Sequence, residues 1–227
     1  MITPFDWQEG IGNRAQYIEL KLKHGSPVMA VSLAEGILLY TRRRQARKIF
    51  EVYDRLAFAA IGQQSDVEAL RAAAVEFAHQ EGYNRSEEDV TIQRVVTAIS
   101  NPVKKAFADF NAAPLVARSL FAEVGDSPDQ DIFYILDYDG DFATYQNSVV
   151  LAGRELQSDS LLEGALAPGT TVPQALELLS EVWTKVYAEN SDENEESLEA
   201  DLTPEALLIE RAVTREDRFR TVGPEPA

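Results

Sequence analysis

The chain has 227 residues, no cysteine and two histidines, and its 38 acidic against 21 basic side chains give a formal net charge of −17. Without thiols it holds no disulfide, thiolate metal site or cysteine nucleophile, and His24 and His79 alone do not build a multi-histidine centre, so neither metal nor cofactor is expected. The negative charge argues against nucleic acid as a partner, and no apolar run reaches the ~20 residues of a membrane span and no leader is evident at the start, which predicts a cytoplasmic protein.

With 45% hydrophobic and 26% charged residues, the chain is expected to bury the core of one large domain, 1–227. Residues 1–13 contain Pro4, Gly10 and Gly12 and predict an irregular segment. An amphipathic helix follows over Arg14–His24, with Tyr17, Ile18, Leu20 and Leu22 as its apolar residues and Gly25 beyond its end. The aromatic residues Phe5 and Trp7, ahead of that helix, need a packing partner.

Four short branched runs come next: Val28–Leu33, Ile37–Thr41, Ile49–Tyr53 and Leu56–Ile61. Their length and punctuation predict strands of a meander. Arg42-Arg43-Arg44-Gln45-Ala46-Arg47-Lys48 sets five cations in seven positions on an acidic protein. Such a cluster is either an anion or carboxylate site or a solvated charge run.

The period then changes to helical. Ser65-Asp66-Val67-Glu68 reads as a capping box, followed by Val67, Leu70, Ala74, Phe77 and Ala78 on one face, with Gly82 as the stop. A second helix is expected to open at Ser86, with Glu87, Glu88 and Asp89 in its first turn. Its stripe of Ile92, Val95, Ile99, Val103, Ala106 and Phe110 runs through Pro102, which predicts one helix kinked there.

Strands are expected again over Leu115–Val124, Ile132–Leu136 and Phe142–Val150, with Asp139-Gly140 as a hairpin turn. The run Asp137-Tyr138-Asp139-Gly140-Asp141 lacks the remaining ligands of a calcium loop and reads as that turn. Helices near Glu155–Leu166 and Pro173–Ala188 follow, the second with Trp183 on its core face. An acidic loop over 189–203 offers little to bury. Strands Ala206–Val213 and Arg218–Val222, within 204–222, precede a Pro-containing tail, 223–227. Two antiparallel sheets packed face to face over 25–188 and closed by the last strands, with helices on both outer faces, would bury every stripe. The expected fold is therefore α+β, a four-layer αββα sandwich.

Particular residues in this order resemble a known family. Gly25-Ser26-Pro27-Val28-Met29-Ala30-Val31, Glu35-Gly36-Ile37-Leu38-Leu39, Lys48-Ile49-Phe50-Glu51-Val52-Tyr53-Asp54-Arg55 and Phe58-Ala59-Ala60-Ile61-Gly62 resemble the opening strands of proteasome core-particle subunits. Glu76-Phe77-Ala78-His79-Gln80-Glu81-Gly82-Tyr83, Asp89-Val90-Thr91 and Tyr138-Asp139-Gly140 resemble the bacterial α-type members. The likeness runs from about Arg14 to Val222.

The resemblance implies an N-terminal nucleophile hydrolase fold without catalysis. The nucleophile position of the β type falls on Ser26, the acidic residue expected after the second strand is replaced by Arg42, and Lys48 corresponds to a lysine that both types carry. In the α type that lysine is implied to receive an activator's C-terminal carboxylate. Gly62, Gln63 and Arg47 are implied around it, and Arg44 adds to the field. The resemblance further implies an outer heptameric ring of identical neighbours, in which Tyr17 makes ring contacts. Thr3, Pro4, Phe5, Asp6 and Trp7 lie in the implied gate at the axial pore. The implied partners are β-type proteasome subunits, an ATPase or other ring activator, and unfolded protein substrates. The alternatives are a self-processing hydrolase using Ser26, and an inactive homo-oligomeric relative with another binding role.

Overall fold

Runs of branched and small residues fill two stacked sheets because each presents an apolar face to the other. The computed structural model describes residues 4–154, 162, 166–167, 169–190, 202–213 and 218–223. Strands β1 (Val28–Leu33) and β2 (Gly36–Arg43) form one hairpin, and β3 (Ile49–Tyr53) and β4 (Leu56–Gly62) form another. β5 (Ala117–Glu123), β6 (Ile132–Leu136), β7 (Phe142–Tyr145), β8 (Ser148–Leu151), β9 (Thr203–Glu210) and β10 (Phe219–Thr221) complete the set. The sheet orders are β10-β9-β2-β1-β8 and β3-β4-β5-β6-β7, each five-stranded and antiparallel throughout.

The expected α+β sandwich is thus present, but not the single meander: the first two hairpins lie in different sheets, and the basic stretch 44–48 crosses between them. The strand expected over Phe142–Val150 is likewise two strands, one in each sheet. Asn147 takes a φ of 64° at the break, a left-handed conformation that Asn tolerates better than most residues. The turn before β7 is as expected, with Gly140 at φ 87° and its N–H donating to the Asp137 carbonyl at 3.0 Å.

Four helices are described: α1 (Pro4–Leu22), α2 (Gln64–Asn84), α3 (Ile92–Ala108) and α4 (Val172–Asn190). Leu70, Ala74, Val95 and Ile99 of α2 and α3 pack on Phe58 and Phe121 of the second sheet. Leu179, Trp183 and Val186 of α4 pack on Met29, Leu38 and Leu208 of the first. Trp183 is fully buried and its indole N–H donates to the Pro27 carbonyl at 3.0 Å, the core role expected of it. Between the sheets lie residues such as Ala30, Leu39, Ile49 and Leu120, and Ile18 and Leu22 of α1 plug one end of that layer. The helix expected near Glu155–Leu166 falls almost wholly outside the described residues, as does most of the acidic loop.

Several helix boundaries differ from expectation. Residues 4–13 are helical: Pro4 stands at the start of α1, where its missing N–H has no intrahelical partner to lose. Gly10 admits the ring of Phe110, since a Cβ there would stand 2.9 Å from it. Trp7 meets the same ring edge to face at 4.8 Å, and Arg14 donates to the carbonyls of Ala106 and Ala112 at the end of α3. The first helix therefore extends ten residues further because α3 offers it a docking site.

Ser65 does not cap α2. The helix begins at Gln64, and the Asp66 carboxylate instead accepts the Val116 N–H at 2.8 Å. Gly82 does not stop α2 either; it sits where the Tyr53 hydroxyl leaves no room for a Cβ. Glu87–Asp89 form a separate 3-10 turn, and α3 starts at Ile92, whose N–H donates to Glu123 on β5 at 2.8 Å. The α3 stripe ends on buried Phe107, not on Phe110, which is 38% exposed, and the helix runs through Pro102.

At the far end of the sandwich, buried Asp131 pairs with Arg211 through 2.7 and 2.8 Å bonds, and accepts from Ser32 Oγ at 2.5 Å and the Gly125 N–H at 2.9 Å. Removing one partner of such a pair strands a buried charge, at a cost of about 3–5 kcal/mol. Asp131→Ala should therefore lose stability of that order, read as a fall in the urea midpoint of the full chain, with the slope unchanged.

Candidate functional site

The other end of the sandwich carries the basic cluster. Here the chain leaves α1, passes Gly25 and Ser26, and enters β1; the β2–β3 connection lies beside it. The two strands and the connection enclose an open cavity of about 350 Å³ lined by Ser26, Arg43, Arg44, Arg47, Lys48, Gly62 and Gln64, among others. His24, Ala60, Val67, Tyr187 and Leu202 complete the wall.

Lys48 stands directly before β3, so a rigid strand fixes its backbone. Its half-buried ammonium donates to the Ser26 carbonyl at 2.6 Å. Burial pulls the amine from the usual lysine value of 10.5 down to about 7, against a smaller restoring pull from Glu205. Glu205, at the start of β9, accepts the N–H groups of Lys48 and Ile49 at 3.0 and 3.4 Å and pairs with Arg43 and Arg47 at 3.3 and 3.5 Å. One carboxylate thus holds the wall of the cavity, while the exposed Arg44 and the 59%-exposed side chain of Arg47 leave its rim cationic.

Of the residues implied around Lys48, Arg47 and Gly62 line the cavity. Gln64 occupies the place expected of Gln63, whose N–H is committed to the Val116 carbonyl at 2.8 Å. Gly62 has φ 142°, and a Cβ there would stand 2.1 Å from the Val116 carbonyl oxygen, so glycine alone fits. Arg42 does not stand beside Lys48. Strand alternation turns it to the opposite face of the first sheet, where it lies 4.7 Å from the Trp183 ring and donates to Ser180 and Thr184. The carboxylate near the lysine is Glu205, which lies just outside the strand read from Ala206; an acid at the mouth of an apolar strand was the available signal.

Ser26 Oγ donates to the Arg42 carbonyl at 2.5 Å and stands 3.4 Å from Thr41 Oγ1. Its N–H lies within the chain, so no α-amine adjoins the hydroxyl. The Asp137–Asp141 turn is occupied by protein contacts: Asp137 pairs with Arg118 at 3.0 Å and Asp139 accepts the Asp141 N–H at 2.9 Å. Of the gate residues, Thr3 lies outside the described residues; Pro4, Phe5, Asp6 and Trp7 form the first turn of α1. Trp7 finds its partner in Phe110 of its own chain, and Tyr17 is 46% exposed on the outer face of α1 beside Leu20 at 61%. No described helix is long and apolar enough to cross a membrane.

Two stacked five-stranded antiparallel sheets between helices, with a lysine at the mouth of β3 facing the start of β1, are consistent with the proteasome-type sandwich. The family model described as Proteasome subunit matches residues 20–197, and the chain belongs to that family. It is similar to the proteasome subunit alpha of Xylanimonas cellulosilytica, 34% identical over 73% of this chain and 68% of that one. The proteasome subunit alpha of Acidothermus cellulolyticus is 31% identical over 92% and 88%, and that of Streptomyces coelicolor 27% over 98% and 87%. Within the family, the chain is of the actinobacterial α type.

The Lys48 geometry has a consequence for stability. Between about pH 7 and 10.5 the unfolded chain binds a proton at this site that the folded chain has released, so this group's contribution to stability rises with pH in that window. Below pH 7 both states are charged and the desolvation cost is felt in full. Lys48→Met should therefore gain most over wild type at pH 6, with the difference shrinking by a few kcal/mol towards pH 10. Urea unfolding at the two pH values measures it.

Proposed function

We propose that this chain is a non-catalytic α-type subunit of a proteasome core particle in the cytoplasm. It forms the outer heptameric ring with identical neighbours, stacks on β-type subunits, gates the entry of unfolded protein and docks an ATPase or other ring activator. The observation that carries the docking reading is Lys48: a half-buried amine at the base of an open cavity whose rim is cationic and whose walls include Ala60 and Val67. A peptide ending in a free carboxylate suits it, with the terminal charge on the ammonium and apolar side chains on the wall.

The surroundings of Ser26 support the non-catalytic reading. A nucleophilic hydroxyl needs a base to take its proton, yet this one donates to a backbone carbonyl, and the neighbouring amine is bonded to the Ser26 carbonyl instead. Exposed Tyr17 and Leu20 on α1 suit burial against a ring neighbour. The N-terminal part of α1 and the residues before it are the gate, and Trp7 and Arg14 of α1 dock on the end of α3 in this subunit.

Losing a charge-assisted contact to a carboxylate costs about 2–5 kcal/mol. Lys48→Ala should thus weaken binding of a peptide copying the activator's C-terminus by roughly 30-fold or more, with ring assembly intact. Because the carboxylate needs the charged amine, wild-type affinity should also fall towards tenfold per pH unit above about pH 7. Fluorescence anisotropy on assembled rings measures both, and equal affinity in wild type and variant would place the docking site elsewhere.

Deleting Ile2 to Gly12 should raise hydrolysis of short peptides by the particle assembled with its β-type partner. An unchanged rate in a correctly assembled particle would remove the gate from this segment.

A further inference from the structure

The same cavity has a chemical property that carboxylate docking does not use. Lys48 makes no ion pair with a carboxylate among the described residues, although one lies close by. Both oxygens of Glu205 are spent on the Lys48 and Ile49 backbone N–H groups and on Arg43 and Arg47. The amine donates to a neutral carbonyl, Ser26 O at 2.6 Å, and its cavity opens to solvent. Arg43, Arg44 and Arg47 surround the opening. The charged and titratable groups of the packed elements are Arg43 at the end of β2, Arg44 and Arg47 of the β2–β3 connection, His24 after α1, Tyr187 of α4 and Glu205 of β9. Cations therefore outnumber the single carboxylate.

We propose that Lys48 is a covalent modification site, a nucleophilic amine that condenses with small anionic aldehydes, aldehyde acids or aldehyde phosphates, drawn in by the arginine rim. The lone pair of the neutral amine attacks the carbonyl carbon, and a proton passes from nitrogen to the former carbonyl oxygen to give a carbinolamine. Water then leaves, carrying that oxygen and the remaining N–H proton, and the product is an imine. No oxidant or reductant enters. The anionic group of the aldehyde rests against the guanidinium groups, and the Ser26 carbonyl holds one N–H of the amine until the carbinolamine forms, a bond that is given up with the departing water. Burial, which pulls the amine's pKa down to about 7, supplies its neutral form at a pH where an ordinary lysine is only about one part in three thousand neutral. The chain's other five lysines, 21, 23, 104, 105 and 185, lie outside this cavity.

The proposal stands whether or not the cavity docks an activator. If it does, the two uses divide the pH range: the ammonium holds a carboxylate below about pH 7, and the amine reacts above it. An imine would then block the tail's site.

The test treats the full chain with glyoxylate or pyridoxal phosphate, then borohydride, and maps the adducts by mass spectrometry. At pH 7 Lys48 should carry at least about tenfold more label than any other lysine, and its labelling rate should rise from pH 6 and level off by about pH 8. Lys48→Arg should lose that label alone. Arg44→Ala with Arg47→Ala should slow labelling by the anionic aldehydes severalfold but leave that by propionaldehyde unchanged. Uniform labelling of all lysines, or a Lys48 rate still climbing above pH 9, would overturn the proposal. Equal slowing of charged and neutral aldehydes would overturn the role of the rim. Competition by the activator-tail peptide reads the docking function separately: selective labelling that the peptide does not suppress would count against docking and not against the reactive amine.

Discussion

The carboxylate of Glu205 joins the two sheets at the end that carries the candidate site. It belongs to β9 in one sheet and accepts the backbone N–H groups of Lys48 and Ile49, where β3 of the other sheet begins. Its side chain is 9% exposed, so these contacts form in a medium that screens them weakly. The same oxygens hold Arg43 and Arg47. Without this anion, Arg43, Arg44, Arg47 and Lys48 would repel one another around the cavity, with no carboxylate to draw the connection back as a wall. The cavity exists because one acid neutralises part of the basic run and leaves the rest facing outwards.

A second clamp lies at the opposite end of β1. Asp131 and Arg211 again link the sheets, here with every oxygen engaged by Arg211, Ser32 or Gly125. The contrast between the ends is instructive. The Asp131 network is closed, so it contributes rigidity and offers nothing to a ligand. The Glu205 network is left open on the Lys48 side chain, which among the described residues donates to the Ser26 carbonyl alone, and an incompletely paired, half-buried amine is the condition for tunable chemistry. Function and stability are thus built from the same interaction, finished at one end and unfinished at the other.

Helix α1 shows how a surface segment acquires order from its neighbours. Its own sequence, with Pro4, Gly10 and Gly12, is a weak helix former. Its helical state follows from the end of α3, where Arg14 donates to the Ala106 carbonyl of the last turn and to the Ala112 carbonyl just beyond it, and Phe110 receives Trp7 and the bare Gly10. That dependence makes the segment sensitive to whatever else competes for the same surface, which suits the gate role proposed for it.

The branched apolar run of Val28–Leu33, the stripe from Ile92 to Val103 and the burial of Trp183 were legible in the sequence, because length, period and composition report which residues of an element must leave water. The glycine turn before β7 was legible for a similar reason: its backbone demand is local. The division of the first four strands between two sheets, and the break at Asn147, were not, since a strand's own residues carry no record of which sheet it joins. Lys48 was recognisable by resemblance, and the basic cluster by count. Which cations would be neutralised, which way Arg42 would turn and that Glu205 would serve Lys48 were decided only in the tertiary structure. Residues 157 positions apart along the chain meet there, and the depressed pKa of the amine arises from burial that no local pattern encodes.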